Sequence, residues 1–478
     1  MAQLADDLAA GRRTSRSLLD AHLARIEELD GVFGSVRSLA TDARQAADAS
    51  DARRRESGST GALEGIPVLV KDSIDVAGLP TTVGALALAG SVPPADAPLV
   101  ARLRAAGAVV VGKTNLSELC NFLTDDMPSG YSSLGGQVLN PYDTSLTPSG
   151  SSSGSAAAVA LGLVPVAVGT ETDGSITSPA EHQSLVGMKP TVGLVSRTGL
   201  FPISPVQDTA GPLARTVADA AALLAAMAGP DPLDEATSES AEAAAALAAL
   251  AFDGDALRGV RLGLVAPLAP GTDGAGEPVH PATRQALVAA GAELIDVTLP
   301  ALGQDDELAA LHYEFAPAVD RYLAALGAAA PIGTLAGLAR WNLAHSGDAL
   351  KFGQTHVDAA LAVDHETERP AYDELRARDA AAVTEALEAA LKDGLEALVF
   401  ARADGASLAA RVGWPSIVLP AGYGDANRRP VGVMLVSRPW SDARLLVLAD
   451  ALERALPVRR PPWEINPAAF RSLLSRRG

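Results

Sequence analysis

The chain has 478 residues, 48% of them hydrophobic and 20% charged, enough for a large buried core. Its net charge of -19 argues against nucleic-acid partners and against docking on anionic membranes, both of which call for clustered Lys and Arg. A single cysteine, Cys120, excludes a disulfide framework or a cysteine-based metal site within one chain.

The first residues, MAQLADDLAAGRRTSRS, contain no apolar signal core. The longest apolar runs, such as Ala243 to Phe252, fall short of the ~20 residues of a membrane helix. A soluble, cytoplasmic protein is therefore expected. Thr14 to Asp30 reads as a helix, with Leu19, Leu23 and Ile26 on one face. Leu39 to Ser59 is polar, helical and then loose. Ile66 to Val70 is a continuous apolar run after Gly65, the mark of a buried strand, and Lys71 follows it directly. Pro98 to Ala106 reads as a helix, Val109 to Val111 as a strand ahead of Lys113, and Leu116 to Phe122 as a helix holding Cys120 as a small buried group. Asp125 to Ser149 is rich in Gly, Pro and Ser without periodicity, which points to a binding loop or lid.

Beyond Pro190, Thr216 and Asp219 mark a helix start, and Gly229-Pro230 its end. Asp231 to Asp255, acidic and Ala-rich, reads as an exposed insertion. Val260 to Val265, Leu294 to Leu299, Ala397 to Phe400, Ser416 to Leu419 and Val431 to Val436 read as strands. Pro281 to Ala290 is helical, and Ser441 caps a last helix through Leu456. Alternating helices and near-continuous apolar strands predict an α/β fold: one large domain over 1–478, its mixed and mostly buried β-sheet covered by helices on both faces. N-terminal helices over about 1–60 and a mainly helical insertion over about 305–392 complete the expected organisation.

The chemistry centres on TPSGSSSGSAAAVALGLVPVAVGTETDGSITSPAEHQSLVGMKP, residues 147–190. A helical run and a strand hold two Ser/Gly turns apart, the arrangement that brings two serines to one site. Ser175 reads as a nucleophile and Ser151 as its proton relay. Gly150 to Gly154 matches the G-x-S-x-G elbow around Ser152, but the elbow needs a preceding strand and a Pro/Asn/Asp loop stands there. Gly169 to Ser175 lacks the lysine of a phosphate loop. Of seven histidines, His22 reads as exposed on its helix, and His280, His345, His356 and His365 lie in polar stretches where solvation is the default. Only His182 adjoins the serines, and it has no acidic orienter in its motif. The chain has five lysines, and a buried lysine, unlike arginine, can lose its proton and act as a base. Lys71 and Lys113 each sit at a strand end and are rivals for that role, while Lys189 reads as a turn residue.

GIPVLVKD at 65–72, SGSSSGSAAAVA at 149–160 and GTETDGSI at 169–176 together resemble the amidase signature family. The likeness continues through GMKPTVGLVSRTGLFPISPVQDTAGPLARTVADAA (187–221), GWPSIVLPAGY (413–423) and PVGVMLV (430–436), and its flavour is that of bacterial peptide amidases. It implies amide hydrolysis through an acyl-enzyme with a Ser–cis-Ser–Lys triad, acting on peptide C-terminal amides or small amides, with no metal or cofactor. By position the base falls on Lys71, the bridging serine after a cis peptide bond on Ser151, and the acylated serine on Ser175. The backbone N–H groups of Thr172, Asp173, Gly174 and Ser175 correspond to the oxyanion hole, and Met127, Ser149 and Ser152 are pocket candidates. Two stretches depart from the family pattern: Asp173 replaces a glycine before the nucleophile, and Ser149 and Ser153 replace glycines of the serine loop. Other readings are the amidase subunit of a tRNA-dependent amidotransferase, from whose pattern QDTAGP (207–212) differs, and a silent binding protein on the same fold. A monomer or homodimer without nucleic-acid or membrane partners is expected.

Overall fold

The computed structural model describes residues 1–58, 61–268, 276–424, 428–467 and 470. The strands are β1 (Val36–Leu39), β2 (Pro67–Lys71), β3 (Val109–Thr114), β4 (Tyr131–Ser132), β5 (Gly136–Gln137), β6 (Val166–Glu171), β7 (Val186–Lys189), β8 (Thr209–Ala214), β9 (Arg261–Val265), β10 (Glu293–Val297), β11 (Ala397–Ala401), β12 (Ser416–Tyr423) and β13 (Pro430–Val436). Eleven of them form one sheet in the order β1-β3-β2-β6-β8-β7-β12-β13-β11-β9-β10. Pairing is parallel in β3-β2-β6 and β11-β9-β10, and antiparallel through the centre from β6 to β11.

Strand β2 shows why the sheet is buried on both faces. Its side chains alternate: Val68 and Val70 join Val110, Val166 and Val168 in one core, and Leu69 joins Val109, Val111 and Ala167 in the other. All five residues of β2 are buried, and each such aliphatic side chain contributes about 1.5–3 kcal/mol. The helix Ser153–Ala160 is buried along its whole length because its side chains are small. A Cβ on Gly154 would lie 2.3 Å from the Asn115 carbonyl oxygen and 2.4 Å from that of Ser35. A third apolar cluster joins Leu311, Phe315 and Val319 of the helix Asp305–Leu326 to Phe122 and Met127. The helical stretch thereby packs onto the segment leading to the serine loop.

Several local expectations change. Residues Leu119, Cys120 and Asn121 have φ of 48°, 57° and 72°, so the segment around Cys120 is a left-handed bend in place of the expected helix, with Cys120 buried. The 125–149 loop carries the β4–β5 hairpin. Asp231 to Asp255 is anchored: Asp231, Asp234, Thr237 and Ser240 are buried and Leu247 enters the core. His356 is buried too, stacked on Phe122 at 4.6 Å and hydrogen-bonded to His312 and Asp125. His22 is half-buried, and burial pushes its pKa down to about 4. Lys189 ends β7 fully buried, its pKa lowered to about 8 by desolvation. Ser441 donates its hydroxyl to the Arg438 carbonyl and caps no backbone N–H, and a further short helix, Pro462–Ile465, follows.

Candidate active site

Lys71 is the last residue of β2, next to β6, whose end at Glu171 opens into the turn Thr172–Ile176. Gly174 has φ 70°, a left-handed conformation that glycine adopts without steric cost, and it delivers the chain to Ser175. Glu171, itself buried, accepts the N–H groups of Ile176 at 2.6 Å and Thr177 at 2.8 Å. Those are the first donors of the helix Thr177–His182, so the carboxylate fixes the turn from inside. The backbone N–H groups of Thr172, Gly174 and Ser175 have no acceptor among the described residues.

The serine loop is held from the other side. The Gly150–Ser151 peptide bond is cis. The Ser151 carbonyl accepts from Ser117 N at 3.1 Å, and Ser152 N donates to the Ser175 carbonyl at 3.1 Å, tying the two serine turns together. Lys71 Nζ lies 2.7 Å from Ser151 Oγ, 2.9 Å from Thr170 Oγ1 and 3.1 Å from the Thr170 carbonyl. Lys71 and Ser151 are 0% exposed, whereas Ser175 is 8% exposed. Burial pushes the Lys71 pKa down, and the fields of Cys120, Glu171 and Asp208 oppose it. A neutral amine fits these three neighbours: two N–H bonds for the two Thr170 oxygens and a lone pair for the Ser151 hydroxyl. The Ser151 and Ser175 hydroxyls are not hydrogen-bonded to each other, and Ser175 Oγ has no partner among the described residues.

The rival bases are occupied elsewhere. Lys113 sits inside β3, 3.3 Å from Asp72 and bonded to Thr81 Oγ1 and the Pro80 carbonyl. His182 Nδ1 lies 2.9 Å from the Ser178 carbonyl and 3.2 Å from Glu181 Oε2, an acidic neighbour within its own motif after all, and Nε2 lies 2.9 Å from Arg429 Nη2. The carbonyl can only accept and the guanidinium only donate, so the ring carries its proton on Nδ1 and has no free nitrogen for a serine.

A cavity of about 420 Å³ opens at the Thr172–Ile176 turn, lined among others by Ser129, Ser149, Asp173, Gly174, Ser178, Glu181, His182, Arg402 and Asp404. Ser149 reaches it with its hydroxyl 2.8 Å from that of Ser178. Ser152 is buried, its hydroxyl donating to the Thr170 carbonyl, and Met127 packs into the apolar cluster around Phe122 and not into the cavity wall. A larger cavity of about 620 Å³ lies between β10 and the helix Arg369–Ala390 and contains none of the serines named above. Thr170, Glu181, Arg402 and Asp404 had no role in the sequence reading. Thr170 stood inside the quoted motif, but Arg402 and Asp404 lie more than two hundred residues from it in the chain. Among the described residues no group of three or more His, Cys, Asp or Glu could hold a metal, and no helix is long and apolar enough to cross a membrane.

A mixed α/β sheet that sets a buried lysine under two serine turns defines a class of amide-cleaving hydrolases. The chain belongs to the amidase signature family: the Amidase family model matches residues 17–446. It is 38% identical over 461 residues to a probable amidase of Arabidopsis thaliana, covering 94% of this chain and 88% of the relative. It is 35% identical over 511 residues to a glutamyl-tRNA(Gln) amidotransferase subunit of Anaeromyxobacter sp. (strain K), covering 95% and 96%. Among solved structures, the native peptide amidase of Stenotrophomonas maltophilia is similar at TM-score 0.88 and 43% identity, over 96% of this chain and 97% of that one. An amidase family protein of Bacillus anthracis is similar at TM-score 0.88 and 35% identity, over 96% and 91%. The protein is a hydrolase acting on amides.

Proposed function

We propose that the protein hydrolyses peptide C-terminal amides or small carboxamides through an acyl-enzyme on Ser175, with Ser151 as the bridge and Lys71 as the base. The observation that carries this reading is the 2.7 Å contact of buried Lys71 Nζ with Ser151 Oγ, beneath the more exposed Ser175. When substrate enters, the Ser175 hydroxyl turns onto Ser151 Oγ, a contact of the kind that tightens in the reactive complex. Ser175 Oγ attacks the amide carbon, its proton passes to Ser151, and the Ser151 proton passes to Lys71 Nζ. The N–H groups of Thr172, Asp173, Gly174 and Ser175 hold the oxyanion. Collapse breaks the C–N bond as the proton returns through Ser151 to the leaving nitrogen, and ammonia or amine departs. Water then attacks the ester along the same relay and the acid leaves. The steps call for no metal, cofactor or second chain, so a monomer or homodimer in the cytoplasm suffices.

The peptide amidase similarity, at 43% identity over nearly the whole chain, favours peptide amides. Amidotransferase subunits also align, one over 95% of the chain at 35% identity and others over 61–63% of it at 42–43%, and they supply the second reading, ammonia release from glutamine for a partner. Incubating the enzyme with peptide amides, small amides and glutamine, with products identified by mass, separates the two. Deamidation of peptide amides by the isolated chain is the expected result. Turnover of glutamine alone, and only with a co-purified chain, would replace it with the second reading.

A further inference from the structure

The segment carrying Gln207 and Asp208 grips the nucleophile turn from behind. Asp208 Oδ1 accepts the Thr172 hydroxyl at 2.5 Å. Gln207 Nε2 lies 3.3 Å from the Thr172 carbonyl oxygen and 2.7 Å from Glu307 Oε1. Gln207 Oε1 accepts from Arg376 Nη1 at 2.7 Å. The amide cannot turn over: flipping it would aim Oε1 at a carboxylate and a carbonyl, and the NH₂ group at a guanidinium. Its partners are anchored in turn, Glu307 by Ser407 Oγ at 2.9 Å and Arg376 by Glu314 at 2.7 and 2.9 Å. Gln207 and Glu307 are 0% and 3% exposed, so little water competes for these bonds.

The geometry points to Gln207 as a positioning residue for the oxyanion donors. In a planar trans peptide the C=O of Thr172 and the N–H of Asp173 point in opposite directions. Holding the Thr172 carbonyl toward Gln207 therefore aims the Asp173 N–H away from it, on the other face of the turn. Gln207 also joins that peptide plane to the helices Asp305–Leu326 and Arg369–Ala390, which carry Glu307 and Arg376. The direction of a donor at the reaction centre is thus set by a side chain that never touches substrate.

This inference rests on the Ser175 reading, and its test separates the two. The variants are Gln207→Met and the exchange Gln207→Glu/Glu307→Gln. The exchange keeps a donor–acceptor pair between the two positions and an acceptor for Arg376, but leaves nothing to donate to the Thr172 carbonyl. Active sites are titrated with a fluorophosphonate and the adduct is mapped. Inhibition is measured with a peptide aldehyde, whose adduct carries an oxyanion, and with the matching peptide alcohol, which carries none. In both variants the aldehyde should weaken about 10- to 100-fold and kcat should fall alike, while KM and alcohol binding stay within about threefold. Aldehyde and alcohol affinities that move together, or a kcat restored by the exchange, would overturn the inference with the adduct still on Ser175. An adduct on another residue removes the Ser175 reading and this inference with it. Should Gln207→Met fail to fold, the exchange variant carries the same comparison.

Discussion

Replacing Lys71 with methionine removes the proposed base and little else. Of the groups around Nζ, Thr170 Oγ1 keeps Ser73 Oγ at 3.2 Å and the Thr170 carbonyl keeps Ser152 Oγ at 3.1 Å. The Ser151 hydroxyl alone loses its partner, at a cost of about 1–3 kcal/mol, so the variant should fold. General-base catalysis is worth about 10²–10⁴-fold, and groups acting as a unit lose more together than one by one. Acylation should therefore slow by about 10⁴-fold, some 5.5 kcal/mol of barrier. Lys71→Arg should be as inactive, because a guanidinium keeps its proton, and that separates basicity from positive charge. The assay is single-turnover release of a chromogenic amine from an activated anilide, normalised to folded protein. Acylation by Lys71→Met within about tenfold of the parent rate would refute the base assignment and move attention to Lys113.

Two further outcomes follow from the same geometry. Lys113→Met leaves Asp72 buried without its cation and should cost about 3–5 kcal/mol in urea unfolding, with Lys113→Met/Asp72→Leu recovering much of it and kcat per folded enzyme nearly unchanged. The pH profile of kcat/KM with an uncharged amide should rise as Lys71 loses its proton, because the neutral amine is the proposed base. Burial lowers that pKa, so the rise should be complete at a lower pH than the ordinary lysine value of 10.5 allows. A profile that falls over that range would show that a protonated group is required instead.

The sheet, and the meeting of Lys71 with Ser151, were legible for reasons that can be named. Ile66 to Val70 is apolar at every position because both faces of β2 are covered, so the run advertised a buried strand and Lys71 at its end. The scarcity of lysine made the buried ones conspicuous. The short strand β1, with Arg37 and Ser38 between Val36 and Leu39, carries no such run and went unseen. The bend at Leu119 to Asn121 has no glycine to announce its left-handed backbone. His356 stacks on Phe122 and bonds to Asp125, some 230 residues away, and Gln207 finds its partners in Glu307 and Arg376. Periodicity reads neighbours along the chain, and pairings of that span lie beyond it.

Location of the covalent adduct tests the central claim most directly. Treated with a fluorophosphonate and digested, the enzyme should yield one modified peptide with the phosphonyl group on Ser175. Ser175→Ala should take up none, and Ser151→Ala should label slowly but at the same residue. A stable adduct on Ser151 or Ser152, or undiminished labelling of Ser175→Ala, would contradict the account.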